Sequence, residues 1–427
     1  MKILHQLDDQ RADECVHVAQ AANGMTVALS QKPGFSTSAA YIGLRFGSTD
    51  TSFETADGVR VDVPDGSAHF LEHKLFEGRE EKVFDRFGKL GANFNGGTGF
   101  RSTSYYFVTA DRFDEGLEVL LDFVQDPLIT EERVEKEKGI IEQEVRMYQD
   151  EPGYRGLFLL HHALYHQHPI RVTPGGAVSE VHRTTAVDLQ ACYDAFYRPH
   201  NMVLSLAGDF DVESMLATVD GLLLPANPGA AKKLYPQEQT APASDWMEEE
   251  FPVSRPHIWI GWRDKQGVGL GEPLLRRWLT SSLALDLVLD HSSTYHEDLY
   301  QRKVVDDSLS CHFSCDEDWG YACVQGLSDQ PEDFVREVRE TVARFCEDGP
   351  KAEDFERVRS ASWGSVISGI QTPAALAGSV MNAMLQQYSP FAILDALQEV
   401  TLQEVADRAR ELFDPAQSSV AIIRPQS

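Results

Sequence analysis

The chain lacks any apolar run of 18 residues, so nothing in it reads as a membrane-spanning helix. Its first residues, MKILHQLDDQRADE, turn polar before a secretory apolar segment can form, and a cytoplasmic protein is expected. Cysteine is scarce: Cys15, Cys192, Cys311, Cys315, Cys323 and Cys346 are scattered, with no C-x-x-C pair. That argues against a disulfide framework or a cysteine zinc cluster and leaves free thiols in a reducing compartment. Positive charge is short too. Lys and Arg number 38 against 67 Asp and Glu, a formal net charge of −29. Such a field repels nucleic acid and anionic membrane, so neither is expected as a partner. No G-x-x-x-x-G-K-[ST] phosphate loop occurs, and Gly96-Gly97 and Gly175-Gly176 read as turn glycines.

What remains is an ordinary globular composition, 42% hydrophobic and 25% charged, over 427 residues. That length exceeds one core and calls for at least two domains. A stretch rich in Pro, Ala and polar residues at 224–246 reads as a linker between a domain at 1–223 and another at 247–427. The two sides repeat each other. Thr185-Ala-Val-Asp-Leu-Gln-Ala-Cys-Tyr-Asp-Ala-Phe-Tyr-Arg-Pro199 precedes the apolar run Met202 to Ala207, and Thr401-Leu-Gln-Glu-Val-Ala-Asp-Arg-Ala-Arg-Glu-Leu-Phe-Asp-Pro415 precedes Val420 to Ile423. Each copy reads as an amphipathic helix, a proline stop and a buried strand, which predicts a duplicated domain. Strand patterns at 36–47, 103–109, 257–262 and 311–315 alternate with helix patterns such as 115–124 and 131–149. The fold class expected is α+β: two duplicated domains, each a mostly antiparallel or mixed sheet covered by helices, together enclosing a chamber.

The chemistry concentrates in His69-Phe70-Leu71-Glu72-His73. On a helix, residues four apart share a face, so both imidazoles and the Glu72 carboxylate point the same way. This is the H-x-x-E-H arrangement, in which two histidines hold zinc and the glutamate serves as base. Ser67 is a candidate N-cap for that helix. A catalytic zinc site needs a third protein ligand. The helix pattern from Thr130 to Gln149 offers Glu137 and Glu144, seven apart on one face, although spacing alone does not choose Glu144 over its neighbours. At the repeat offset of 216, the metal helix lands on Leu285, Val288 and Leu289, so the second half keeps an apolar helix without a site. His161, His162, His166 and His168 crowd one region, but no carboxylate or cysteine completes a set there.

These segments resemble the insulinase-like, or pitrilysin-type, inverted zinc peptidases across almost the whole chain. Gly66-Ser-Ala-His-Phe-Leu-Glu-His-Lys-Leu-Phe-Glu-Gly78 is similar to that family's active-site helix. Gly91-Ala-Asn-Phe-Asn-Gly-Gly-Thr98 is similar to its cleft strand, and Tyr197-Arg-Pro-His-Asn-Met-Val-Leu-Ser-Leu-Ala-Gly-Asp209 to the strand closing its first domain. The resemblance implies zinc held by His69, His73 and Glu144, with Glu72 as the general base on zinc-bound water and Glu137 as a supporting acid. Asn95 would lie where substrate backbone adds as an extra strand. It also implies an arginine and a tyrosine, seven apart, in the second half. Tyr300 and Asp307 stand at those positions, and Arg302 is out of register. The expectation is a zinc endopeptidase of the short bacterial and mitochondrial-processing type, acting on peptides with a paralogous partner chain in a heterodimer, or as a homodimer. The alternative is a metal-retaining binding or assembly subunit with little activity of its own.

Overall fold

The computed structural model describes residues 1–225, 229–264 and 267–426. The chain divides into two compact units that do not follow chain order: Met1–Arg146 with Val172–Tyr235 and Ile367–Pro390, and Met147–Arg171 with Pro236–Val366 and Phe391–Ser427.

The first unit carries β1 (Lys2–Asp9), β2 (Glu14–Gln20), β3 (Thr26–Gln31), β4 (Ser38–Leu44), β5 (Ser52–Glu54), β6 (Arg60–Asp62), β7 (Asn93–Thr98), β8 (Thr103–Thr109), β9 (Met202–Gly208) and β10 (Lys232–Lys233). Seven of them form one sheet in the order β1-β2-β3-β9-β4-β8-β7. Only β3 and β9 run parallel. The second unit carries β11 (Trp246–Phe251), β12 (His257–Arg263), β13 (Ser310–Cys315), β14 (Gly320–Leu327) and β15 (Ser418–Pro425), ordered β11-β15-β12-β14-β13. Here too one pair alone, β11 and β15, is parallel. The second sheet thus repeats β3-β9-β4-β8-β7 strand for strand, and the duplication read from the sequence is present in the topology. Both repeated helices, Ala186–Phe196 and Leu402–Leu412, open with a capping box, Thr185 with Asp188 and Thr401 with Glu404.

Each half of the chain gives one helix to the other half's sheet, an exchange absent from the division into 1–223, 224–246 and 247–427. The helix Pro373–Leu385 packs on β4 and β9 in the first unit, and α5 (Pro152–Leu164) packs on β12 and β15 in the second. A glycine admits each. A Cβ on Gly43 of β4 would lie 2.6 Å from the Met381 sulfur, and one on Gly261 of β12 would lie 2.9 Å from Leu164.

The alternating run Thr103–Thr109 is a strand over those residues, with Thr103, Tyr105, Phe107 and Thr109 inward. Gly96-Gly97 is not a turn: both residues lie inside β7, paired with Tyr105 and Ser104. Gly175-Gly176 does lie in a turn. Among the described residues, no helix is long and apolar enough to cross a membrane.

Candidate metal centre

The helix α1 (Ser67–Phe76) begins after Gly66, whose φ of 87° is open to glycine at little cost. Ser67 is not its N-cap. The Ser67 hydroxyl instead donates back to the Pro64 carbonyl at 2.6 Å, and no side chain caps the helix. The space beside Gly66 is filled by the 173–176 turn: a Cβ there would stand 2.4 Å from the Gly175 carbonyl oxygen. Phe70, Leu71 and Leu75 are buried in the core and fix the helix rotation. That rotation leaves His69 and His73 half-buried on the opposite stripe, rings 4.7 Å apart, and Glu72 only 7% exposed.

The helix α4 (Glu131–Gln149) brings the other half of the site. Val134, Ile141 and Val145 seat it in the same core, and Glu137 and Glu144 follow on the adjoining face. Glu144 Oε1 lies 3.5 Å from His69 Nε2, and Glu144 Oε2 lies 3.2 Å from His73 Nε2. One ligand atom from each of the three residues falls within 4.8 Å of the others, and no other such group occurs among the described residues. These spacings fit zinc. Bonds of 2.0–2.1 Å at tetrahedral angles put ligand atoms about 3.3 Å apart, and two imidazole nitrogens with one carboxylate oxygen leave a fourth position open.

Around the three sit residues that orient them. Glu137 Oε1 lies 3.3 Å from His73 Nδ1, a carboxylate behind a candidate ligand histidine. Glu137 Oε2 is 3.8 Å from the ammonium of Lys74, which is buried, donates to the Arg133 carbonyl at 2.8 Å and pairs with Glu77. Thr98 at the end of β7 donates its hydroxyl to Glu72 Oε2 at 2.6 Å. Thr98 and Lys74 were not singled out from the sequence. A lysine next to His73 reads as surface, and no spacing rule links Thr98 to Glu72.

The charges respond to this crowding. Burial drives the Glu72 carboxyl up, against the Thr98 hydrogen bond and the two histidines. Burial alone would lower His73, but hydrogen bonds to Glu137 and Glu144 outweigh it and push the imidazole up to about 9. Glu144 is held well below the carboxylate range by hydrogen bonds from His69 and His73. Burial would raise Glu137, but the His73 contact and Lys74 keep it lowered. A cation bound here takes the place of those protons.

Asn95 is not part of this group. It is exposed on β7, an edge strand of the sheet, and its Oδ1 accepts the Gly96 N–H at 2.9 Å. The crowded histidines are engaged separately: His161 Nδ1 on the Ile170 carbonyl, His162 on Arg171, His166 on the Ala241 carbonyl and His168 on Asp318. In the second unit, the residues at the repeat offset, Leu285, Val288 and Leu289 of the helix Glu272–Leu289, are all buried apolar. Tyr300 and Asp307 are exposed, and Arg302 is taken up by Asp298 and Glu337.

Residues 56–173 match the family model described as insulinase (peptidase family M16), and residues 183–362 match the peptidase M16 inactive domain. A Bacillus subtilis protein described as the uncharacterized zinc protease YmfH is 31% identical over 429 residues, covering all of both chains. A probable mitochondrial-processing peptidase subunit beta of Arabidopsis thaliana is 25% identical over 266 residues, 59% of this chain and 48% of that one. A crystal structure of a putative M16-like peptidase from Alicyclobacillus acidocaldarius superimposes with a TM-score of 0.93 at 33% identity, over 98% of this chain and 100% of that one. Pitrilysin shares the fold, with a TM-score of 0.76 at 16% identity over 100% of this chain and 46% of that one. The chain belongs to the insulinase family of peptidases, M16.

Proposed function

We propose that this chain is a zinc-dependent endopeptidase that cuts extended peptides or unfolded segments, with Glu72 as general base and His69, His73 and Glu144 as metal ligands. The observation that carries the reading is the pairing of a nearly buried carboxylate, Glu72, with a His-His-Glu group of zinc-like spacing on two helices. Zinc in that group would polarise the peptide carbonyl and lower the pKa of water. Glu72 then takes a proton from the attacking water and returns it to the leaving amine. Thr98 keeps one carboxylate oxygen fixed, so the other is aimed at the reacting atoms. Glu137 holds the His73 ring from behind.

Substrate backbone would pair with β7. That strand is an edge, lies in plain register with β8, and carries none of the lysines, prolines or bulges that usually blunt an edge. Asn95 would exchange its hydrogen bond to Gly96 for one to the incoming strand. Oxyanion donors are worth about a hundredfold or more in rate. With Tyr300 and Asp307 where arginine and tyrosine are expected, a paralogous partner chain would bring that pair.

The second reading is a metal-retaining binding or assembly subunit with little turnover, favoured by that same substitution. Cleavage of a fluorogenic unstructured peptide by the purified chain, alone and with a paralogous chain that carries the arginine and tyrosine, separates the two. The peptidase reading expects hydrolysis in at least one arm, abolished by chelator and by Glu72→Gln. Zinc binding without hydrolysis in either arm contradicts it.

A further inference from the structure

On the helix α2 (Val83–Leu90), Phe84 is 61% exposed, although its ring lies 4.9 Å from Phe94 and 5.7 Å from Phe76. Beneath it the aromatic layer is closed, with Phe87 stacked on Phe94 at 4.7 Å and fully buried. An aromatic left open at the end of a packed layer is a ledge for another apolar group. Its place along β7 is informative. Successive side chains alternate, so Phe94, Gly96 and Thr98 share one face and Asn93, Asn95 and Gly97 the other. Thr98 is the residue that touches Glu72. Phe94 is four residues back, roughly 13–14 Å along the strand at about 3.4 Å per residue, and Gly96 between them adds no side chain.

A peptide paired to the free edge of β7 must repeat this alternation. If its residue opposite Thr98 lies at the reacting bond, its residue opposite Phe94 projects onto Phe84. We propose that Phe84 and Phe94 form a specificity subsite that takes a large apolar or aromatic substrate side chain about four residues from the scissile bond. This rests on the peptidase reading and on strand addition at β7.

The test uses unstructured peptides of Ser, Gly and Ala in which a single Phe is moved one position at a time. Digestion by the full chain, with its partner chain where that is needed, is read by mass spectrometry. The expected bond cut moves in step with the Phe at a constant spacing of about four residues, and Phe84→Ala removes that lock. In the Glu72→Gln background, fluorescence anisotropy is expected to show a Phe-containing peptide binding about tenfold tighter than its Phe-free parent. That gain is expected to fall to about twofold or less with Phe84→Ala and to survive Phe84→Leu, with melting temperatures unchanged because the side chain is exposed. Peptide binding or cleavage indifferent to Phe, or a preference that survives Phe84→Ala, overturns the subsite and leaves the peptidase reading standing. Tight, Phe84-dependent binding without hydrolysis in any arm keeps Phe84 as a peptide-binding contact but overturns the peptidase reading, and with it the spacing to a scissile bond. A chain that neither binds nor cuts any of these peptides overturns both.

Discussion

Glu72 combines two demands that pull apart. It is nearly buried, which raises its carboxyl, while the general-base role proposed for it calls for a carboxylate, and the Thr98 hydroxyl at 2.6 Å favours the charged form. Thr98→Val removes that donor while keeping shape. The expected result is a fall in kcat of about tenfold with KM little changed and zinc content unaltered, because Thr98 touches Glu72 and none of His69, His73 and Glu144. Steady-state kinetics with metal analysis checks this, and an unchanged kcat contradicts the positioning role. Lys74 acts one step further out. Its buried ammonium pairs with Glu77 and lies 3.8 Å from Glu137. Charged residues buried in this way are rare and are held by partners, which is why hydropathy reads Lys74 as surface.

At the scale of elements, α4 and β8 were legible because their patterns are long and regular. The amphipathic run at 131–149 gives a helix over Glu131–Gln149, and TSYYFVT gives a strand over Thr103–Thr109. The start of α1 was less so. A serine before an apolar run reads as a cap, while the structure uses Gly66 with a positive φ and packs the 173–176 turn against it, a contact more than 100 residues away in the chain. Spacing left Glu144 one acid among several; the family resemblance selected it, and α1 and α4 side by side bring it to His69 and His73. The counterpart of α1 in the second half, Glu272–Leu289, carries its own titratable misfit. Asp286 is largely buried in it, and burial, with Asp290 nearby, pushes its carboxyl up to about 6 from 3.8. The folded chain therefore holds that proton more tightly than the unfolded chain. The stability contributed is complete below about pH 4 and is lost as the pH rises through about 6. Asp286→Asn is expected to stabilise the protein by roughly 1–2 kcal/mol at pH 7.5, after allowing for partial solvent access, and the gain shrinks toward pH 4. Urea unfolding at both pH values measures it; a gain independent of pH contradicts the titration.

For the whole molecule, the repeat at Thr185 and Thr401 made the duplication legible, while the helix exchange was not, because exchange is a matter of long-range pairing that leaves no periodicity. Its trace lies in Tyr41-Ile42-Gly43-Leu44-Arg45 and Trp259-Ile260-Gly261-Trp262-Arg263, where each sheet keeps a glycine for the visiting helix. The two units, alike in sheet order, differ in chemistry: one pairs its α1 histidines with Glu144, and the other has Leu285 and Leu289 in place of the histidines and Val288 in place of Glu72. The measurement that tests this account most directly is zinc per chain, by mass spectrometry of the metal after dialysis against a competing chelator. The account predicts one zinc for the parent and for Glu72→Gln, an affinity lowered about ten- to a hundredfold by Glu137→Gln, and near-complete loss with Glu144→Gln. A parent that takes up no zinc, or a Glu144→Gln chain that keeps its full zinc, contradicts it.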